Sequence, residues 1–295
     1  MNKRLTANLM LIITALIWGF AFVAQSTASE LIGSFTFNGI RFMIGAVSLI
    51  PVIYIFERRG KQKNLQKDKL TIKYGVITGV VLFIASTLQQ VGVMYMEIDS
   101  KAGFITGMYT VIVPIFGLFM KKKTSLNTWF GAMCAVLGLY FVSVAGVEKI
   151  ELGDVICFIG AFFWALHIIV IDEYVDKVNP IMYSAVQFFT CSVINIVLMF
   201  VFEMGSFSLT NVYLATVPIL YAGVMSSGIA YTLQVLGQKN SKPTEAAIIF
   251  SMESVFAALG CWMILGHSMS IISLVGCALI LAGVILSQLN FKKGQ

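Results

Sequence analysis

Apolar residues in this chain come in runs of twenty or so, broken by short clusters of charged and turn residues. They neither alternate as in a half-buried strand nor keep to one face of an amphipathic helix. An α-helix of about 20 apolar residues, rising about 1.5 Å each, crosses about 30 Å of hydrocarbon. Cutting at the polar clusters predicts ten such spans: 7–27, 35–56, 73–93, 101–120, 126–145, 153–172, 180–202, 211–237, 244–266 and 270–290. The eighth has the least defined ends, because 204–238 is one charge-free stretch.

Composition strengthens this pattern. The 295 residues are 58% hydrophobic and only 12% charged, with a mean hydropathy of +0.89, far from the soluble balance of about half apolar and a quarter charged. The chain reads as one integral membrane domain with no soluble domain attached. Lys3 and Arg4 before an apolar run resemble a secretion signal, yet 5–29 is charge-free for longer than a signal core and lacks a cleavage site, so the first helix is expected to be retained. Cys134, Cys157, Cys191, Cys261 and Cys277 lie in apolar runs without CxxC spacing and read as small packing residues. No metal and no cofactor is expected.

Basic residues orient the spans, since cytoplasmic loops retain lysine and arginine. With the amino terminus inside, the cytoplasmic segments hold Lys3, Arg4, Arg58, Arg59, Lys61, Lys63, Lys67, Lys69, Lys73, Lys121, Lys122, Lys123, Lys177, Lys239, Lys242, Lys292 and Lys293; the outer loops hold Lys101 and Lys149. Both termini are therefore expected in the cytoplasm, with the protein in the plasma membrane. The pI near 9.0 follows from orientation, and no nucleic-acid partner is implied. The basic loop at 57–73 faces anionic headgroups.

The chain also repeats itself. "ALIWGFAFV" (15–23) lies against "AFFWALHII" (161–169) and "FNGIRF" (37–42) against "YSAVQF" (183–188), both at offset 146. "TLQ" recurs at 87–89 and 232–234, and "GAMCAVLG" (131–138) matches "GCALILAG" (276–283), both at offset 145. Two units follow, 1–147 and 148–295. Because five helices is an odd number, the second unit enters the membrane in the opposite sense. Inverted repeats of this kind enclose a midplane site in secondary transporters. The predicted fold is all-α: ten transmembrane helices as two inverted five-helix repeats.

At these motifs the chain resembles the EamA-type branch of the drug/metabolite transporter superfamily over nearly its whole length. The resemblance rests on "ALIWGFAFV", "NGIRFMIGA", "YTVIVPIFGLFM", "MESVFAALGCWMILG" and the Gly-rich "GAMCAVLGLYFVS" and "GCALILAGVILS". The family often carries Glu-Pro in helix nine and Gly-Glu at its end; here Glu253 precedes Ser254 and Gly266 precedes His267. The first departure predicts a helix without its kink, the second one without its terminal acid. The resemblance implies export of amino acids, related amines or drug-like metabolites.

Candidate chemistry is sparse. Glu253 lies nine residues into helix nine, about 13 Å along its axis and near the midplane, where an ionised group normally faces a partner or a wet cavity. It is read as exchanging a proton or holding a cationic group, against the alternative of a neutral acid bonded to a facing helix. Arg41, about 9 Å into helix two, reads as structural, ion-paired or snorkelling outward. Trp18 and Trp164 are repeat mates too deep for the interfacial belt and read as cavity walls. Gln89 and Gln234, also mates, can bond a solute or glue helices. Tyr109 is the mate of Glu253 at offset 144. His167 and Ser86, with Ser226, Ser227 and Asn195, add polar atoms. Small residues four apart (Gly75/Gly79, Gly103/Gly107, Gly131/Ala135, Gly223/Ser227, Ala278/Ala282) predict close helix seams.

No GxxxxGK[ST] segment is present to cradle ATP phosphates, so gradients supply the energy. The leading expectation is an alternating-access exporter of small metabolites, proton-coupled through Glu253, in lipid, with a homodimer left open. A passive channel or facilitator is the alternative. A lipid-modifying enzyme fits poorly, because HExxH and Asp-rich helices are missing from the sequence.

Overall fold

The computed structural model describes residues 3–58, 64–96, 100–121, 124–143, 150–265 and 270–289. Nearly all of them are helical, and no strand occurs among them. The helices are α1 (Lys3–Ser29), α2 (Ser34–Ser48, prolonged by Ile50–Ile53 and a π-turn at Tyr54–Arg58), α3 (Leu65–Met94) and α4 (Ser100–Gly107 and Tyr109–Phe119). Then come α5 (Leu126–Ser143), α6 (Leu152–Tyr174), α7 (Pro180–Phe202) and α8 (Leu209–Leu214, Thr216–Leu220, a π-helix at Tyr221–Tyr231, and Thr232–Gln238). The chain closes with α9 (Pro243–Phe250 and Met252–Leu265) and α10 (Ile271–Gln288).

Eight of these helical stretches are long and apolar enough to cross a membrane. The apolar part of α5, Leu126–Val142, is shorter, and α9 is divided at Ser251. Large apolar side chains face outward, among them Phe119 at 82% exposure and Val217 at 78%, a surface that only lipid satisfies. Arg59, Lys61, Lys63, Lys122, Lys123, Lys149, Gly266, His267, Lys292 and Lys293 lie outside the described residues, as do the side chains of Arg58, Lys101 and Cys261.

Local chemistry explains the boundaries. α3 begins at Leu65, well before the span expected from 73, because Asn64 caps it by accepting from Lys67 N at 3.0 Å. Its buried Asp68 then accepts from Asn179 Nδ2 at 2.9 Å. α6 opens on a capping box between Glu151 and Asp154. Pro180 and Pro243 stand in the first turns of α7 and α9, where a missing N–H costs nothing.

Glycine sets the closest seams. On α5 and α10, a Cβ on Gly131 would come within 2.6 Å of Gly283 O, and one on Gly138 within 2.5 Å of Gly276 O. Gly92 seats α3 on α6 at Gly153 and Cys157, and Gly237 seats α8 on α1 at Ala7 and Leu11. Two carboxylates cap helices they do not belong to. Glu57, at the end of α2, accepts from the backbone N–H groups of Ile181 and Met182 in the first turn of α7, at 2.8 and 3.1 Å. Glu203, just past α7, accepts from Phe35 and Thr36 in the first turn of α2, at 2.9 and 2.7 Å. Each satisfies donors that a helix start leaves open.

Candidate functional site

Two helices tighten where the site forms. Met108 and Ser251 have nearly the same backbone angles, φ −58° with ψ −19° and −18°, close to 3₁₀ geometry. Three-residue hydrogen bonds follow, Val111 N to Met108 O at 3.0 Å and Ser254 N to Ser251 O at 3.3 Å. α9 is therefore broken without the proline, contrary to the unkinked helix the sequence suggested. The breaks place Tyr109 and Glu253 at the heads of the second segments of α4 and α9. There the Tyr109 hydroxyl donates to Glu253 Oε1 at 2.9 Å.

Around this pair is a narrow cavity. Trp18, Ala21, Phe22 and Gln25 of α1 line it, with Arg41 of α2, Gln89 of α3, Thr106 and Tyr109 of α4, Trp164 of α6, Ser226 and Tyr231 of α8, and Glu253 of α9. Only about 30 Å³ of it admits the centre of a water-sized sphere, room for about two waters. An aromatic cage surrounds it. The Trp18 ring lies 4.7 Å from Tyr231 and 5.2 Å from Phe250, and Trp164 stacks at 20° on Tyr231 with centroids 6.2 Å apart.

Gly19 brings α1 this close. A Cβ there would lie 2.6 Å from the Glu253 carbonyl oxygen, so only glycine lets the backbone carry Trp18 against α9. Gln89 Nε2 donates to Thr106 Oγ1 at 3.2 Å. Arg41, expected to snorkel or pair, reaches neither the surface nor a carboxylate among the described residues. It is 2% exposed, its Nε donates to Asn38 Oδ1 at 2.9 Å, and its guanidinium lies over Phe42 at 4.5 Å.

Five of the sequence candidates, His167, Ser86, Gln234, Ser227 and Asn195, stand outside the lining. His167 Nε2 shares a hydrogen with Gln187 Oε1 at 3.0 Å, and the ring sits edge-on behind Tyr231 at 6.0 Å. Ser86 Oγ turns back to Phe83 O at 3.4 Å, and its carbonyl accepts from Asn38. Gln234 is buried away from the cavity. The lining residues missed from sequence include Gln25, Thr106 and Tyr231. The repeat held a signal for the last: Tyr231 is the mate of Ser86 at offset 145. Gln25 and Thr106 have apolar or unremarkable neighbours and offered none. Among the described residues no three His, Cys, Asp or Glu side chains gather as a metal site.

A wider hollow of about 400 Å³, by the same measure, opens nearby between Val113, Gly117 and Met120 of α4, Ile169 and Asp172 of α6, and 241–244 before and at the start of α9. Val113 follows Tyr109 by one helical turn, so the hollow approaches the narrow cavity along α4.

A model of the EamA-like transporter family matches residues 5–144 and again 151–289. An uncharacterized transporter of Archaeoglobus fulgidus is 30% identical over 289 residues, covering 98% of this chain and 87% of the relative. The uncharacterized transporter YoaV of Bacillus subtilis is 23% identical, covering 96% and 97%. A solved crystal structure superposes with a TM-score of 0.78 at 15% identity, over 96% of each chain, a likeness of fold alone.

Proposed function

The chain belongs to the EamA-like transporter family, and from that premise we propose that it is a secondary transporter exporting small metabolites such as amino acids and related amines. Ten membrane helices form two inverted five-helix repeats, residues 1–147 and 148–295, with both termini in the cytoplasm of a plasma-membrane protein. The family model's two matches support the duplication. So do contacts that exchange under the repeat offset. Gly131 against Gly283 becomes Gly138 against Gly276, and Gly92 against Gly153 and Cys157 becomes Gly237 against Ala7 and Leu11. The Glu57 clasp on Ile181 and Met182 becomes the Glu203 clasp on Phe35 and Thr36 at offset 146.

One observation carries the mechanism: the buried Glu253 carboxyl lines a narrow cavity of aromatic and polar side chains, held by the Tyr109 hydroxyl, with no cation within 4.0 Å among the described residues. It takes up a proton or a cationic solute when exposed to one side and gives it up at the other. Rocking of the halves follows from the different affinities of the two states. The hollow beside α4 is the inner approach to this cavity.

The other titratable groups at the cavity are Tyr109, Arg41 and Tyr231, with His167 behind Tyr231. The test is therefore specific to the acid. Purified protein is screened for stabilisation by amino acids, amines, nucleosides and organic acids, and hits are followed as flux in proteoliposomes under an imposed pH gradient. The wild type accumulates solute against its gradient, and Glu253→Gln folds yet loses the pH dependence. Unchanged pH dependence in this variant rejects the coupling role, and flux that only equilibrates makes the protein a passive facilitator.

A further inference from the structure

The π-helix at Tyr221–Tyr231 in α8 is organised by fives. Gly223 and Gly228 both face α2, where a Cβ on the first would meet Ile44 at 2.8 Å and one on the second Ser48 Oγ at 2.6 Å. Val224 and Ile229 both face outward, at 37% and 41% exposure. Ser226 and Tyr231 both line the cavity. Residues five apart stand about 140° around the axis of an α-helix, whereas bonding from i to i+5 returns them to one face. In α geometry Ser226 and Tyr231 therefore do not share the cavity, and the wide register is what brings Tyr231 in.

Tyr231 is also what fills the space. Its ring lies among those of Trp18, Phe42, Trp164, His167 and Phe188, with centroids at 4.7, 6.1, 6.2, 6.0 and 5.7 Å. What remains beside it has room for about two waters. A small metabolite needs more than that, so a wall has to retreat.

Two observations single out this wall. Ser227 is fully buried and its hydroxyl has no partner among the described residues, which is costly. An α turn would offer it Gly223 O, the kind of bond that Thr232 makes to Gly228 O at 2.7 Å at the end of the segment. The repeat supplies the second observation: at offset 145 the equivalent stretch, 76–86, lies inside the unbroken α-helix Leu65–Met94, so the fold accepts α register at this place. In α8 the wide register is clasped by α1. The Tyr221 hydroxyl donates to Ile17 O and Thr14 Oγ1 donates to Ala230 O, both at 3.0 Å.

We propose that Tyr231 is the movable wall of the cavity: in π register it closes the space, and when 221–231 tightens to α register it swings off the face it shares with Ser226 and admits solute. This rests on the transport reading and names its moving part.

Deleting Ile229, an outward-facing residue between the two, leaves Tyr231 four places after Ser226, so that an ordinary α-helix keeps the wall in. Proteoliposome counterflow of leucine, phenylalanine and phenethylamine is expected to slow by about tenfold or more in the deletion variant. Adding Tyr231→Ala to the deletion restores flux in part, a rescue that a merely damaged helix does not allow. In parallel, nitroxides placed singly at 217, 224 and 229 of the full chain in nanodiscs report oxygen accessibility. Position 229 is as accessible as 224 at rest and falls by about twofold or more when a transported probe is in excess, while 217 stays constant. Wild-type flux through a folded deletion variant, no rescue by Tyr231→Ala, or an accessibility at 229 that ignores a probe the wild type carries, overturns the movable wall and leaves transport standing. If the deletion variant does not elute as folded protein, the nitroxides decide alone. No wild-type flux of any of the three probes rejects the amino-acid and amine reading itself, and the movable wall goes with it.

Discussion

Gly19 illustrates how a single missing side chain builds the site. A Cβ would meet Phe256 Cβ at 2.5 Å and Glu253 O at 2.6 Å, and neither the backbone nor a β-carbon can yield without α1 moving off α9. Overpacking of this kind costs about 1–3 kcal/mol. Gly19→Ala is expected to lower the unfolding midpoint and to cut ligand stabilisation further than that loss explains, because Trp18 retreats with its helix. Thermal unfolding with and without a bound solute checks it, and a normal ligand shift would separate the packing from the site. Residues at this scale were legible where chemistry clashed with lipid: Glu253, Trp18, Trp164, Tyr109 and Gln89 stand out against apolar neighbours, and all five line the cavity. Arg41 was visible too, but its direction was not. Whether a long side chain snorkels or turns inward depends on Asn38 and the rings beneath it, and those partners are set by three-dimensional packing.

At the scale of elements, helix positions were readable because hydrocarbon thickness sets the length of apolar runs, and eight of the ten expected spans fall on helices long and apolar enough to cross a membrane. The breaks were not. A proline usually announces a kink, yet Ser251 tightens α9 with no proline beside it, its hydroxyl turned back on Ile248 O at 2.6 Å. The π-helix at Tyr221–Tyr231 likewise leaves no mark in a charge-free stretch. The carboxylate clasps were in principle visible, as acids at the ends of two equivalent spans, but nothing in one dimension says which helix they cap. Each replaces water on two backbone donors of a partner helix. Glu57→Gln and Glu203→Gln are each expected to cost about 1–2 kcal/mol. Residues 36 and 57 lie about 30 Å apart along α2, so the double variant should lose the sum within about 0.5 kcal/mol. Denaturant titration of the three variants measures this. A double variant no worse than either single would mean that breaking one clasp already frees the other.

The whole molecule combines a near-symmetric scaffold with asymmetric chemistry. Contacts that exchange under the offset of 145 to 146 make each half a template for the other, and in the proposed mechanism rocking of such halves about a pseudo-two-fold axis gives two related openings from one cavity. In the present conformation the hollow bounded by Gly117, Asp172 and Thr244 lies at the end of the helices that the basic residues assign to the cytoplasm. Arg4 joins Glu245 at 3.1 Å at the start of α9, whose first residues bound that hollow, and Gln288 at 3.2 Å. If the amino terminus is inside, a cysteine at position 244, in a background with the five native cysteines replaced, is reached by a membrane-impermeant thiol reagent from the cytoplasmic face only. Inside-out vesicles should then label strongly and intact cells weakly. A solute that fills the cavity should slow labelling if it holds the halves in the occluded state. The reverse sidedness would turn the molecule over in the membrane: the hollow would become an outer vestibule, and under the proposed coupling Glu253 would load from the opposite side.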